Sequence, residues 1–327
     1  MRISTLLLCA ALAPASALAA DPSLLSLVMP DAKVIAGASV DQAKSTPFGA
    51  YVLNRLQPDD PNFAKFVNAT GFDPRRDVTE LVIASNYSQN DPTHWLVLAK
   101  GSFDPARITA AATTAGGIVR QYRGIPVITT KPESNEPPTP NASRTAIAFL
   151  DGSTAAMGDV NAVEAAIGRR KANAGVSTPL ASKVQQVSAN NDFWFTSVVP
   201  LSQFANAMPD QNVAGAMQGN LLTAVQQASG GVKFGPTVQL NAEALTRSPK
   251  DAAALVDVVK FVAGLIQTNR QSDTTAAQVS TLLDSLKATA QGNVMTMTLS
   301  IPETTLEQMI SSMRRPRKAP QPPAPDK

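Results

Sequence analysis

A pair of Phe-Asp-Pro turns most constrains how this chain can fold. Residues 71–78 read Gly-Phe-Asp-Pro-Arg-Arg-Asp-Val, and residues 101–105 read Gly-Ser-Phe-Asp-Pro. Asp before Pro is typical of a capped turn, because the carboxylate accepts backbone N–H groups and Pro presets the backbone. Apolar runs at 81–85 and 95–100 lie between the two turns. The pattern predicts two neighbouring strands followed by a helix, at the centre of a first domain.

Tight-turn signals predict two further hairpins in this first domain. Asp151-Gly152 and Arg123-Gly124 each separate two short apolar runs. Such dipeptides favour two-residue turns between antiparallel strands. The hairpins therefore indicate antiparallel pairing of strands.

The second half combines strands and helices in a looser pattern. It predicts a strand at 193–199, a helix at 221–228 that stops at Gly230-Gly231, and a long strand at 232–246. Helices mixed with hairpins predict an α+β protein. We expect two sheet-plus-helix units with antiparallel-rich sheets, ferredoxin-like or related.

The N-terminus predicts export. Arg2 precedes a short apolar run, and Ala17-Leu18-Ala19 fits a signal-peptidase site, so cleavage is expected between Ala19 and Ala20. The apolar run is too short to span a bilayer, and no later run is long enough. We expect a secreted or periplasmic protein that is not transmembrane. Lipidation at Cys9 is disfavoured, because Leu8 stands where a small residue is needed.

These signals divide the chain into five predicted parts. They are a signal peptide at 1–19, a first α+β domain at 20–171, a linker region at 172–191, a second α+β domain at 192–313, and a basic, Pro-rich disordered tail at 314–327.

The composition excludes several kinds of chemistry. Cys9 is the single cysteine and lies in the signal peptide, so the mature chain cannot form disulfides, thiolate metal sites or a cysteine nucleophile. The net charge of +3 comes from Arg2 and the basic tail. The body between them is slightly acidic, and nothing in it favours nucleic acid.

The order of these motifs resembles a family of uncharacterised exported bacterial proteins, of acidobacterial and planctomycete type. The resemblance covers roughly residues 30–170 and rests on structural motifs. They are Ser45-Thr46-Pro47-Phe48-Gly49, the two Phe-Asp-Pro turns, Tyr122-x-Gly124 and Gly158-Asp159 before a helix. The resemblance implies export and this fold, and it implies no activity, because the family has no assigned catalytic residues.

Polar residues that could support catalysis have simpler structural interpretations. His94 is the single histidine, and no Gly-x-Ser-x-Gly motif accompanies it, so a surface or strand-end position is favoured over a triad. Asp73 and Asp77 could pair as glycosidase-like acids, but capping and ion pairs with the intervening arginines explain them. Asp104 and Asp151 have the same turn roles. We therefore assign no catalytic, cofactor-binding or metal-binding residue.

Three functions stay open. The first is an exported, non-enzymatic protein that binds or scaffolds an envelope protein, lipid or wall polymer. The second is a periplasmic carrier of an apolar ligand held between sheet and helices, since the Met and Leu stripes of residues 255–313 could line a groove instead of a core. The third is an envelope hydrolase that uses carboxylates. The basic tail could contact anionic lipid or a partner, or simply be a solvated terminus.

Overall fold

The strands form one large sheet in the computed structural model, which describes residues 19–55, 61–87, 94–129, 145–172, 180–200, 223–268 and 282–313. Within these residues twelve strands are hydrogen-bonded side by side. Their bounds are β1 Val34–Ser39, β2 Val78–Ser85, β3 Trp95–Gly101, β4 Ile118–Tyr122, β5 Ile125–Thr129, β6 Thr145–Phe149, β7 Thr154–Asp159, β8 Phe193–Ser197, β9 Val225–Lys233, β10 Thr237–Thr246, β11 Lys287–Gln291 and β12 Val294–Pro302.

Helices lie on both faces of this sheet. In the described residues they are α1 Pro22–Leu25, α2 Val40–Lys44, α3 Pro47–Arg55, α4 Pro61–Thr70, α5 Pro74–Asp77, α6 Pro105–Thr114, α7 Val160–Ala172, α8 Ala181–Asn190, α9 Pro249–Thr268 and α10 Glu303–Met313, with a 3₁₀ turn at Leu283–Ser285. None of the described helices is both long and apolar enough to cross a membrane.

The sheet is antiparallel throughout and joins both halves of the chain. The strand order is β11-β12-β10-β9-β8-β1-β2-β3-β7-β6-β5-β4. Pairing between β1 and β8 aligns Val34 with Ser197 and Ala38 with Phe193. The α+β class with antiparallel strands is therefore confirmed. Two separate ferredoxin-like units are not confirmed, because the β1–β8 ladder makes one sheet of the strands from both halves.

The main core lies on one face of the sheet, which we call the core face. Val82 and Leu98 on neighbouring strands are fully buried there. Alternate residues of a strand point to the same face, so these strands present a regular apolar surface. Helices α1, α7 and α8 cover it with large side chains, which include Leu24, Leu25, Val163, Ile167, Val184 and Val187.

One glycine, which has no side chain, leaves room in this core for the indole of Trp194 where strands of the two halves pair. Gly37 on β1 lies opposite Trp194 on β8. A Cβ atom on Gly37 would lie 2.3 Å from an indole carbon of Trp194 and 2.9 Å from the carbonyl oxygen of Leu81. A residue with a side chain would therefore displace the indole or the neighbouring strand.

From the end of β8 across β9, β10 and β12, the core face carries polar side chains. Thr196, Ser229, Glu243 and Thr296 follow one another as cross-strand partners on this face. Glu243 forms an ion pair with Lys183 of α8 at 2.7 Å. Here the apolar contacts are on the opposite face, where α9 packs against Ala244 and Met295.

Two local predictions for the second half are corrected by the structure. Residues 225–233 form strand β9, although the sequence pattern predicts a helix at 221–228 that stops at Gly230-Gly231. The glycines mark close approach instead, because a Cβ on Gly230 would lie 2.4 Å from the carbonyl oxygen of Asn241 on β10. The chain also forms α8 inside 172–191, where a linker is predicted, because Leu180, Val184 and Val187 bury an apolar face in the main core.

Candidate functional site

The carboxylates of Asp73 and Asp77 are brought together, but each is occupied by its own turn. Asp73 caps α5, and its Oδ1 accepts a hydrogen bond from Arg75 N at 3.0 Å. The Arg75 guanidinium donates to both oxygens of Asp73 at 2.9 and 2.6 Å. Arg76 likewise donates to both oxygens of Asp77, which also accepts the N–H of Asp73.

These contacts keep both carboxylates ionised. Hydrogen bonds from the Arg75 side chain lower the pKa of Asp73, and hydrogen bonds from Arg76 lower the pKa of Asp77. A glycosidase-like acid needs the opposite shift, toward a raised pKa. The predicted capping and ion-pair roles of the two residues are confirmed.

The other polar candidates lie apart from this turn. His94 directly precedes β3, whose Trp95 pairs with Ser85, whereas the Asp73–Asp77 turn abuts Val78 at the other end of β2. The length of β2 is roughly 20 Å at the usual rise per residue. Asp104 caps α6, and Asp151 accepts the N–H of Ser153 in the hairpin turn. Within the described residues, acidic and histidine side chains form no cluster of three that could hold a metal ion.

An apolar cavity of about 570 Å³ lies on the opposite face of the sheet from the main core. We call this the cavity face. Strands β2, β3, β5, β6 and β7 form its floor, and α4 and α6 form its roof. The lining side chains are Lys65, Phe66, Ala69, Thr70, Phe72, Val78, Leu81, Val97, Ala99, Phe103, Ile108, Ala111, Ala112, Ala115, Ile128, Ile147, Phe149, Ala155, Ala156 and Met157.

Small side chains leave this space open. Helix α6 and its C-cap present Ala111, Ala112 and Ala115 to the cavity, and Ala99 and Ala155 lie on the floor beneath. Methyl groups cannot reach across the gap between a helix and a sheet, where larger side chains normally interdigitate. The cavity reaches the surface at Phe66 and Met157, which are 43% and 38% exposed.

An aromatic wall bounds the cavity along the two Phe-Asp-Pro turns. Ring centroids are separated by 6.2 Å between Phe66 and Phe72, by 5.5 Å between Phe72 and Phe103, and by 5.3 Å between Phe103 and Phe149. These distances are in the range of favourable aromatic pairs. The Phe of each turn thus serves the cavity, while the Asp of each turn caps the helix that follows.

Hydrogen bonds from an arginine side chain to backbone carbonyl oxygens link the two helices of the roof. Arg107 of α6 donates to the carbonyl oxygens of Ala69 and Asn68 at the end of α4, at 3.0 and 2.8 Å. Such contacts satisfy terminal helix carbonyls and favour a cation there. Gly71, with φ at +72°, then turns the chain from α4 toward the first Phe-Asp-Pro turn.

The cavity lining offers little polar chemistry. The Thr70 hydroxyl donates to the Phe66 carbonyl oxygen at 2.7 Å and accepts from Phe72 N at 3.2 Å, so it is engaged within the protein. Lys65 is the charged residue of the lining. Among the residues that the structure describes, the lining suits an aliphatic or aromatic group and provides no constellation of acids and bases for a reaction.

The signals that could have located this cavity are present in the sequence. Residues 105–115 read Pro-Ala-Arg-Ile-Thr-Ala-Ala-Ala-Thr-Thr-Ala, a helix with almost no bulky side chains. Its position after an apolar strand places it over the sheet. The stripes at 255–313, for which the sequence left core packing and a groove open, pack α9 onto β10, β11 and β12 in the described residues.

Comparison with known proteins gives no family for this chain. Neither a protein-family model nor a curated protein matches it. Among solved structures, it is similar to a treponemal protein reported as "Structure of crystal form I of TP0453", with 10% sequence identity and a TM-score of 0.47. The match covers 90% of this chain and 98% of that chain.

Proposed function

We propose that this protein is exported to the cell envelope and binds an apolar ligand in the cavity under α4 and α6, without catalysing a reaction. The observation that carries the proposal is the cavity itself. Its volume of about 570 Å³ falls within the range of small-molecule sites. Its lining is almost wholly apolar and it reaches the surface, which suits the entry of an apolar ligand.

The lining supports binding through apolar contact. Aliphatic and aromatic side chains surround the space on floor, roof and wall, and the aromatic wall gives it a fixed boundary. Burial of apolar surface contributes about 25 cal/mol per Å². A ligand that fills the cavity would gain this term with little cost in polar desolvation.

The polar candidates favour binding over hydrolysis. Asp73 and Asp77 are saturated by arginines and backbone N–H groups, and their side chains belong to the turn outside the cavity. Alanine at Asp73, Asp77 or His94 should therefore alter stability at most. Loss of a hydrolytic activity in one of these variants, with the fold intact, would favour the carboxylate hydrolase instead.

Export is the part of the proposal that rests on the signal segment. We expect the protein recovered from the periplasm or medium to begin at Ala20. N-terminal sequencing checks this, and a full-length N-terminus in the cytoplasm would contradict it. The proposed relation to uncharacterised exported bacterial proteins would be tested by an alignment of sequences that share the two Phe-Asp-Pro turns.

The binding proposal is tested by filling the cavity. Calorimetric titration of the wild type with dodecanoate should show binding, and Ala112→Phe should abolish it, because the new ring occupies the space beneath α6. Ala110→Phe is the matched control, since Ala110 lies on the same helix, is exposed and does not line the cavity. Equal loss of binding in both variants, or no binding to the folded wild type, would refute the proposal.

A further inference from the structure

The residues that follow the predicted cleavage point are packed into the main core. Ala20 is 4% exposed, and Leu24 is fully buried. The guanidinium of Arg169 on α7 donates to the carbonyl oxygen of Leu27 at 2.9 and 2.6 Å. The first residues of a domain usually fray unless they are tied down, so a buried start at Ala20 requires contacts that hold it. We use the name N-terminal segment for residues 20–28.

Two backbone N–H groups at the start of this segment donate to side chains from distant parts of the sequence. Ala20 N donates to Ser188 Oγ on α8 at 2.9 Å, and Ser188 is buried. Ser188 Oγ itself donates to the carbonyl oxygen of Gln185 at 3.3 Å, which leaves its oxygen as the acceptor for Ala20. Asp21 N donates to a carboxylate oxygen of Glu80 on β2 at 2.9 Å. A helix and a strand therefore fix the first two residues of the N-terminal segment.

The charges around these two residues leave one carboxylate without a cation. Asp21 and Glu80 each carry a carboxylate, and Lys100 forms an ion pair with Asp21 at 3.0 Å. In the part of the chain that the structure describes, Glu80 forms no ion pair. Burial raises the pKa of Glu80, so a nearby positive charge would stabilise its ionised form. The place beside Glu80 therefore favours a further cation.

The hydrogen bond of Ala20 N also determines the order of cleavage and folding. This nitrogen belongs to the amide that joins Ala19 to Ala20, which is the bond that a signal peptidase would hydrolyse. Proteolysis needs exposed and mobile backbone, whereas this N–H is bonded to a buried serine and Ala20 itself is buried. Cleavage therefore has to precede the docking of the N-terminal segment.

We propose that Ser188 and Glu80 form a binding site for the α-ammonium group that cleavage creates at Ala20, so that removal of the signal peptide completes the fold. This inference rests on the export part of the proposed function. Hydrolysis adds water across the amide bond, leaves a carboxylate on Ala19 and gives Ala20 a protonated amine. The new cation is then the chain's own N-terminus.

An ammonium group at Ala20 suits this site in hydrogen bonding and in charge. It has three N–H donors where the amide has one, so it can keep the bond to Ser188 and still donate elsewhere. Glu80 accepts from the next backbone nitrogen, so its carboxylate lies within about 7 Å of Ala20 N. Opposite charges attract at this distance in a partly buried site. Hydrogen bonds from a charged donor are also roughly twice as strong as neutral ones.

The test compares two chains that differ in the position of the ammonium group. One begins at Ala20. The other begins at Ala19, which keeps the amide N–H of Ala20 but moves the charge one residue outward. At about pH 6, below the usual α-amino pKa, the chain that begins at Ala20 should melt about 2 °C higher. Equal melting temperatures would overturn the proposal.

Chemical labelling gives a second readout on the same two chains. The α-amine at Ala20 should react with an acetylating reagent on the order of tenfold more slowly than the α-amine at Ala19, because labelling requires the N-terminal segment to open. Equal rates would show that the ammonium group is not bound, whatever the melting temperatures are.

Matched variants separate the site from a general change in stability. Glu80→Gln keeps an oxygen that accepts the N–H of Asp21 but removes the charge, so the two chains should then melt at the same temperature. Glu243→Gln is the control, because Glu243 is also a partly buried carboxylate but pairs with Lys183 on the other half of the sheet. This control should retain the difference. A difference that disappears equally in both variants would contradict the proposal.

The predicted cleavage is tested separately by N-terminal sequencing of the protein from the envelope. A protein that begins at Ala20, together with equal melting of the two chains, would overturn this inference alone. A protein that begins at another residue would refute the predicted cleavage site and, with it, the role of the Ser188–Glu80 site in export.

Discussion

Helices α6 and α7 pack on opposite faces of the same sheet, and only one of them closes the gap beneath it. Helix α7 places Val163 and Ile167 on the core face, and both are fully buried. Helix α6 presents Ala111 and Ala112 to the cavity face and leaves about 570 Å³ unfilled. The sheet supplies apolar residues to both faces. The volume of the helix side chains therefore decides whether a layer becomes core or cavity.

The largest expected contrast comes from one substitution made on each face. Ile167→Ala should lower the free energy of unfolding by about 4 kcal/mol, because it opens a void in a fully packed layer. Ile108→Ala on α6 should cost about 2 kcal/mol, because Ile108 is also buried but borders existing empty space. Urea unfolding measures both values. Equal losses would show that the cavity face is packed as tightly as the core face.

The reverse substitution should also separate the two faces. Ala166→Leu on α7 should destabilise the protein by about 1–3 kcal/mol, since Ala166 is fully buried among large side chains. Ala112→Leu should change the stability little or raise it, because the added atoms enter open space. Thermal unfolding of the apo protein checks this. A comparable loss in Ala112→Leu would mean that α6 closes onto the sheet in solution.

The turn at Asp73, which borders the cavity, should contribute less to the free energy of unfolding than the buried residues of α6 and α7. Asp73→Ala removes the cap of α5 and should cost about 1 kcal/mol. Asp73→Asn should retain most of that stability, because the amide oxygen can still accept the N–H of Arg75. The comparison is made by urea unfolding at neutral pH. An unchanged alanine variant would show that the turn is held by other contacts.

The smallest expected effect is the acid sensitivity of the same turn. Hydrogen bonds from Arg75 and Arg76 lower the pKa values of Asp73 and Asp77 in the folded state, so ionised carboxylates stabilise the fold above the unfolded value of about 3.9. That stability is present at neutral pH and is lost as the pH falls below about 4. Because the arginines are at the surface, the loss should be small, and smaller still in high salt. Asp73→Asn should flatten the decline, and an unchanged profile would contradict these ion pairs.

Local signals predicted the elements that the turns define. The strand pair β2 and β3, the caps at Asp73 and Asp104, and the hairpin at Asp151-Gly152 follow from short-range chemistry, and the structure confirms them. Each depends on residues within a few positions of one another. Such contacts can be inferred without knowledge of the remaining fold.

Contacts between residues far apart in the sequence could not be predicted from these local signals. The sequence of β1 does not indicate that Gly37 pairs with Trp194, which joins the two halves of the chain into one sheet. The sequence around Gly230 is compatible with the end of a helix and with a site where two strands approach closely. The second is correct because the backbone of β10 lies against Gly230. The alanines of α6 have the same ambiguity, because a small residue indicates tight packing or empty space according to the distance of the next layer.

The most direct test of the cavity is a crystal structure of the mature protein with dodecanoate brominated at its terminal carbon. Anomalous scattering locates the bromine without reference to the protein density. We expect a bromine peak on the cavity face, between the alanines of α6 and the floor at Ile147 and Val97. A cavity that is closed by movement of α6, or a bromine peak elsewhere with an empty cavity, would contradict the account.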